Sequence, residues 1–397
     1  MNLSQQASQQ NATSSLAAWA DSEVENLLYK IEIVLNQTLT VAMMVMSVVG
    51  NTLATLVLSR RAFRHLPTSV YLRFLAVMDA GTVVTGLTHR FTLAVADYDF
   101  RATGNIPCQL QVFTVYVFTE LSAWTLIVVT SERVVCILKP HKVKLLCTKF
   151  KSYVILVSLT VIFFTANLPI LFIFGRKYVY DPVLNVTIEE PCVPISTDED
   201  LNKVWFMSHF IKQSLVPFII IFVMNIIMIV GLFKRKEFVK ESMRSGGGGG
   251  KKRQISAKSQ GNSSTAESMT PSTSVQSVSS TTQIVVTSQP TSGEGSSSQA
   301  ASRRETALTK NLIMVNVVFL MCTFPIGIYQ QIVPRPPEKD LDPPSETIVF
   351  SMLVFVLYLN NTLNIFLYCA NGSRFKKELS SMLKEMKLFC KGSQKYS

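Results

Sequence analysis

The chain has 397 residues, 48% of them hydrophobic and only 16% charged, with a mean hydropathy of +0.29 and a net charge of +12. A soluble domain carries about a quarter charged residues, and the apolar residues here fall in long blocks, which excludes an ordinary water-soluble domain. Seven Cys are too few for a disulfide framework in a chain of this length.

The first 30 residues are polar and show no apolar run behind a basic start, so no cleavable signal peptide is visible. Asn2-Leu-Ser and Asn11-Ala-Thr in this tail are glycosylation sequons. Seven apolar segments follow, at about 33–58, 68–93, 106–138, 150–174, 204–233, 308–332 and 346–369. Each exceeds the ~20 residues of helix that cross roughly 30 Å of hydrocarbon. Lipid offers no partner for backbone amides, so each is read as a helix. Between the fifth and sixth segments, Gly246 to Gly250 open a tract of Ser, Thr and Gln. Such a tract buries too little apolar surface to offset its ordering entropy. It reads as a disordered loop, either a phosphorylation substrate or an inert spacer. After the seventh segment, Phe375, Leu379, Met382, Leu383, Met386 and Phe389 share one helical face with Lys and Glu opposite. That pattern predicts a helix lying on the membrane surface, and Cys390 at its end is a palmitoylation candidate.

Lys and Arg set the orientation. They cluster at Arg60, Arg61 and Arg64; at Lys139, Lys142, Lys144, Lys149 and Lys151; at Lys234, Arg235, Lys236, Lys251, Lys252 and Arg253; and at Arg374, Lys376, Lys377 and Lys384. The intervening segments carry −3 (to Glu32), −1 (94–107), −3 (175–203) and −2 (331–346). The basic side is therefore cytosolic and the acidic side extracellular. Basic charge is here a topology signal, and no nucleic-acid surface is expected. The fold class is an all-α membrane protein, a seven-transmembrane helix bundle with a short amphipathic eighth helix. Its parts are an extracellular tail (1–32), helices one to five (33–233), a cytosolic third loop (234–305), helices six and seven (306–370) and a cytosolic end (371–397).

Only Cys108 and Cys192 lie on the oxidising side, so a bridge between them is expected. Asn185-Val-Thr in the same loop is a further glycan site. Ionisable groups within membrane helices are costly and default to functional hypotheses. Asp79 lies mid-span two, with Asn51, Ser122, Asn360 and Asn364 at comparable depth. One carboxylate among neutral oxygens suits a small hard cation, a water network or a structural hydrogen-bond cluster. Glu132-Arg133 lies at the inner end of span three, where Arg can pair with its neighbour or with another helix. Glu120 can pair with His209 or Lys212, or receive a basic ligand group. No nucleophile-base set or His-rich metal set appears, so an enzyme is not expected, and no metal beyond a sodium ion.

The chain resembles a rhodopsin-family (class A) G-protein-coupled receptor. The resemblance rests on Gly50-Asn51, Leu75-x-x-x-Asp79, Cys108 ahead of Glu132-Arg133-Val134, Pro217, Phe319-x-x-Cys322-x-x-Pro325, and Asn364-x-x-x-Tyr368 followed by Arg374-Phe375. It implies that Asp79, Ser122, Asn360 and Asn364 form a sodium pocket and that Arg133 meets the G protein. It also implies that Tyr368 swings inward on activation, and that Phe319 and Pro325 form a hinge where proline removes a ladder hydrogen bond. Arrestin and receptor kinases are implied partners. The chain departs from the family pattern at Thr323 (usually Trp), Ile365 (usually Pro), Val134 (usually Tyr or Trp) and Asn225 (usually Tyr).

An opsin would need Lys where Tyr358 stands, and an amine receptor Asp where Val115 stands. The acidic outer face favours a basic peptide by electrostatic steering. Ser131-Glu-Arg-Val-Val and Leu359-Asn-Asn-Thr-Leu-Asn-Ile-Phe-Leu-Tyr are similar to invertebrate FMRFamide-type and related orphan peptide receptors. Ligand-contact candidates are His89, Arg90, Gln111, Tyr116, Glu120, His209, Gln213, Gln330 and Tyr358. A small-molecule chemosensory receptor and a seven-span transporter are the alternatives. Against the latter, no repeat symmetry of the transporter kind is visible.

Overall fold

A computed structural model describes residues 3–181, 185–196, 198–246, 294–333 and 344–393. Among them, seven helices are long and apolar enough to cross a membrane: Asn26–Ser59, Pro67–Ala96, Asn105–Leu138, Lys149–Ile173, Asp200–Lys234, Thr306–Ile332 and Ile348–Cys369. We call these spans one to seven. The seven expected segments thus correspond one to one with seven helices, each within a few residues of its reading except at the ends of spans one and five. The helix of span one runs back without a break to Leu3, so residue 33 marks a change in hydropathy and not the start of a helix.

The helix ends follow local chemistry. Span two starts with Pro67 in its first turn and closes on Asp97, whose left-handed backbone (φ 48°) lets its own N–H donate to the Leu93 carbonyl and the Tyr98 N–H to the Thr92 carbonyl. Thr148 caps span four through the Lys151 amide, and Asp198 caps the helix that opens span five through the Asp200 and Leu201 amides. Within span five, Ile211–Leu215 forms a π-helical turn immediately before Pro217. Such wide turns free a carbonyl from the regular ladder. Here the Lys212 carbonyl accepts the Trp124 indole N–H at 2.9 Å.

The compact unit Met1–Leu232 with Thr306–Ser397 holds the bundle. Span three is its axis: 61% of its most apolar stretch is buried, against 22% for spans four and five. One apolar cluster joins Leu58, Leu75, Leu126, Phe319 and Tyr368 toward the Arg133 end, which we call the basic end. A second gathers Cys108, Phe113, Phe163 and Phe174 at the opposite, disulfide end. Gly86 lets span seven approach closely, since a Cβ there would run into the Tyr358 hydroxyl. The second unit, Phe233–Glu305, is described only as helix at its two ends; residues 247–293, the low-complexity tract, lie outside the described residues.

A hairpin and a final helix lie outside the membrane core. Phe174–Asp181 and Val186–Pro194 pair antiparallel, with an irregularity between Gly175 and Lys177, where the sequence reading saw only loop. The β-branched and aromatic run Tyr178-Val-Tyr and Val186-Thr-Ile accounts for it. The helix Ser373–Ser393 packs Phe375 and Met382 onto the bundle and leaves Leu383 and Met386 exposed. Its place is fixed by Arg60, which reaches Glu378 at 3.0 Å and Glu385 at 2.8 Å. The uncovered apolar face fits a helix lying on lipid.

Candidate functional site

Span three carries a series of buried polar clusters from one end to the other. At the disulfide end, Cys108 is bonded to Cys192 of the hairpin, as its composition predicted. The Gln109 amide donates to the Phe174 carbonyl at 3.0 Å, and the Arg176 backbone N–H to Asn105 Oδ1 at 3.1 Å. The hairpin is thereby fastened across the mouth of span three. Asn185 lies at its exposed turn with positive φ (54°) and accepts the Tyr180 hydroxyl at 2.5 Å. Asn2 lies outside the described residues, as do the side chains of Asn11 and Cys390.

About three turns down, Glu120 is fully buried. Its Oε1 lies 3.1 Å from Lys212 Nζ and 3.2 Å from His209 Nδ1, and its Oε2 accepts the Asn167 amide at 2.8 Å. Tyr116, one helical turn away, stacks on the His209 ring at a centroid distance of 3.8 Å. Of the two partners foreseen for Glu120, both are present. Asn167 was missed, although a lone Asn in the apolar run of span four was a visible signal.

The other ligand-contact candidates divide. Arg90 donates to Asn36 Oδ1 (3.2 Å) and Ser351 Oγ (3.1 Å), and Ser351 in turn donates to the buried Glu32. His89 lies 3.2 Å from Asp99. Burial acts to push the Asp99 carboxyl up, but hydrogen bonds from His89 and Arg101 outweigh it and hold the group well below the usual carboxylate range. Gln111 donates to the Thr85 carbonyl at 3.1 Å. Gln213 is buried in the wide turn of span five, and Tyr358 is buried against Gly86. Gln330, near the outer end of span six, is exposed. Three residues earlier on the same helical face, Gly327 turns to span five, where a Cβ would meet Phe210 and Ser214.

At mid-depth Asp79 is fully buried. Ser122 donates to its Oδ1 at 2.5 Å, Asn361 to the same oxygen at 2.7 Å, and Asn364 to Oδ2. Asn51 binds the Asn361 carbonyl at 3.0 Å, which ties span one in. Asn361, rather than the expected Asn360, reaches the carboxylate. Asn361 and Asn364 are three residues apart and share a helical face. Hydrogen bonds to a charged group contribute about 1.5–3 kcal/mol each, so three of them offset part of the cost of burying a carboxylate.

Near the basic end, Asn316 of span six donates to Asn225 Oδ1 at 2.8 Å and to Thr130 at 3.1 Å. This joins spans three, five and six and gives a structural place to Asn225, one of the departures. One turn further, Thr68 of span two donates to Glu132 Oε1 at 2.6 Å and accepts from Arg133. The Arg133 guanidinium lies 3.9 Å from Glu132. Arg133 is thus held toward span two. Phe319 and Tyr368 are buried in the apolar cluster beside it, and Pro325 lies within the helix of span six. Thr323 donates to the Phe319 carbonyl at 2.8 Å.

No curated protein matches the chain closely enough to name as a relative. A sequence profile of the 7 transmembrane receptor (rhodopsin family) matches residues 50–368, from the Gly50-Asn51 pair of span one to Tyr368 of span seven. With seven spans, a disulfide from span three to the hairpin and buried polar clusters along span three, the chain belongs to the rhodopsin family of seven-transmembrane receptors.

Proposed function

We propose that this multi-pass membrane receptor sits in the plasma membrane with its N-terminus outside, binds an extracellular peptide and activates a heterotrimeric G protein. The observation that carries the reading is the chain of buried polar contacts along span three, from Glu120 through Ser122 and Thr130 to Glu132-Arg133. These clusters stand at successive depths on one helix with packed apolar side chains between them, and the far end is an arginine held by one threonine and one carboxylate. The charge bias supports the orientation, because the basic loops all fall at the Arg133 end.

The ligand is a neuropeptide with positive charge, drawn by the acidic outer segments. Glu120 already has Lys212 and His209 beside it, so its role is to position those two side chains and Tyr116 under the ligand. Within this reading, Asp79 with Ser122 and the span-seven asparagines takes up an allosteric sodium ion. The Ser/Thr-rich third loop serves receptor kinases and arrestin, and glycans sit on Asn2, Asn11 and Asn185 with a palmitoyl chain on Cys390.

The test is nucleotide exchange on purified G proteins, driven by a panel of amidated basic peptides against the reconstituted chain. Peptide-dependent exchange is the expected result. Silence across the panel, with solute flux through the same proteoliposomes, would overturn the receptor mechanism in favour of transport.

A further inference from the structure

Glu132 and Cys136 stand one turn apart on span three and so share a face. Cys147, which ends the short helix Val143–Leu146 in the following loop, comes back against them. One carboxylate oxygen of Glu132 and the two sulfurs lie within 4.8 Å of one another. The two thiols already share a hydrogen bond. Glu132 Oε1 is occupied by Thr68, whereas Oε2 is buried without a hydrogen-bond partner among the described residues. A nine-tenths-buried carboxylate with one oxygen unsatisfied is costly, and a ligand there would remove that cost.

We propose that Glu132, Cys136 and Cys147 form a zinc site that fastens the loop after span three to the base of Arg133. Two sulfurs and a carboxylate are a donor set that zinc takes, with an open fourth position for water. Ligand atoms around a tetrahedral zinc stand roughly 3.5–3.8 Å apart, so closure asks for a movement of about 1 Å. Cys147 can supply it, because it lies in a loop and is only half-buried. On ligation each thiol releases its proton to solvent, leaving two thiolates and a carboxylate. Zinc and the neighbouring Arg133 guanidinium together cancel their charge, so the occupied site is neutral overall. A disulfide is the competing fate of two close thiols. The orientation proposed above places them on the reducing side, where that fate is disfavoured. Metal binding itself depends only on the fold.

Zinc uptake by the purified full chain, measured by equilibrium dialysis and elemental analysis in a thiol-free reductant, tests the site. One zinc per chain is expected, with affinity falling on the order of tenfold or more in Cys136→Ser, Cys147→Ser and Glu132→Gln. Equal uptake by the Cys136→Ser/Cys147→Ser double variant would overturn the assignment. So would a wild-type chain that takes up no zinc once a Cys136–Cys147 disulfide has been reduced. Should the variants fail to fold, alkylation of the wild type decides the matter: zinc must shield Cys147 from maleimide, and unchanged labelling rejects the site. None of these readouts involves a G protein, so failure here is distinct from failure of the coupling mechanism.

Discussion

Asp79 and Glu120 are both fully buried carboxylates on neighbouring helices, yet they are satisfied in opposite ways. Among the described residues, Asp79 is met by the neutral donors Ser122, Asn361 and Asn364. Glu120 has an ammonium, an imidazole and one amide. The first arrangement keeps net negative charge inside the bundle and so retains an attraction for a cation. The second is closed electrostatically and acts as a cross-brace between spans three, four and five. The same residue chemistry thus makes a structural tie at Glu120 and, at Asp79, the group to which the proposed sodium ion would bind.

The largest effect should come from breaking the closed site. Glu120→Ala strands Lys212 in the bundle, and removing one partner of a buried pair costs about 3–5 kcal/mol. A detergent-solubilised variant should therefore melt far below the wild type, and Glu120→Ala/Lys212→Met should recover much of the loss. If the double variant is no more stable than the single, the two residues are not coupled. Next comes Asn361→Ala, which removes a charge-assisted bond worth about 1.5–3 kcal/mol. Asn360→Ala should cost clearly less, and reversal of that order in thermal melts would restore Asn360 to the carboxylate.

Asp79→Asn should have a smaller effect on the melt itself, within about 1 kcal/mol, since a neutral amide no longer carries the cost of a buried charge. Its signature is instead the loss of any difference between sodium and choline salts in thermal stability and agonist affinity. A sodium dependence that survives the substitution removes the ion from Asp79. At the bottom of the scale stands Arg60→Ala. Its partners Glu378 and Glu385 are on the surface, where ion pairs contribute little. The melt should be unchanged within error, while spin labels on the amphipathic helix should gain mobility.

The parts of the molecule that follow from lipid solvation were legible in the sequence. The seven spans descend from the rule that backbone in hydrocarbon must be helical, and the Cys108–Cys192 bond from the charge pattern that assigns both cysteines to one side. What was not legible depends on rotation about helix axes. Asn360 and Asn361 each lie within a turn of Asn364, and only the packed angle of span seven decides which one faces Asp79. Asn167 was visible as an intramembrane amide, but its partner sits on another helix, and no pattern within span four points to Glu120. The hairpin was hidden by its charges, Lys177 facing Glu190 and Tyr178 facing Glu189 across the two strands, where apolar alternation is weak.

The wide turn at Ile211–Leu215 has an implication for evolution and design. It accommodates one surplus residue, and each residue turns a regular helix by about 100°. Deleting a single position there would return an ordinary helix with Asn225 still turned to Asn316 and the Lys212 carbonyl drawn back into the ladder, whereas a deletion in the regular helix on either side would swing everything beyond it away. Span five thus works as two cylinders clutched together at a set phase, its outer one aligned to Glu120 and its inner one to span six, and length changes in that stretch are tolerable only where the phase is restored.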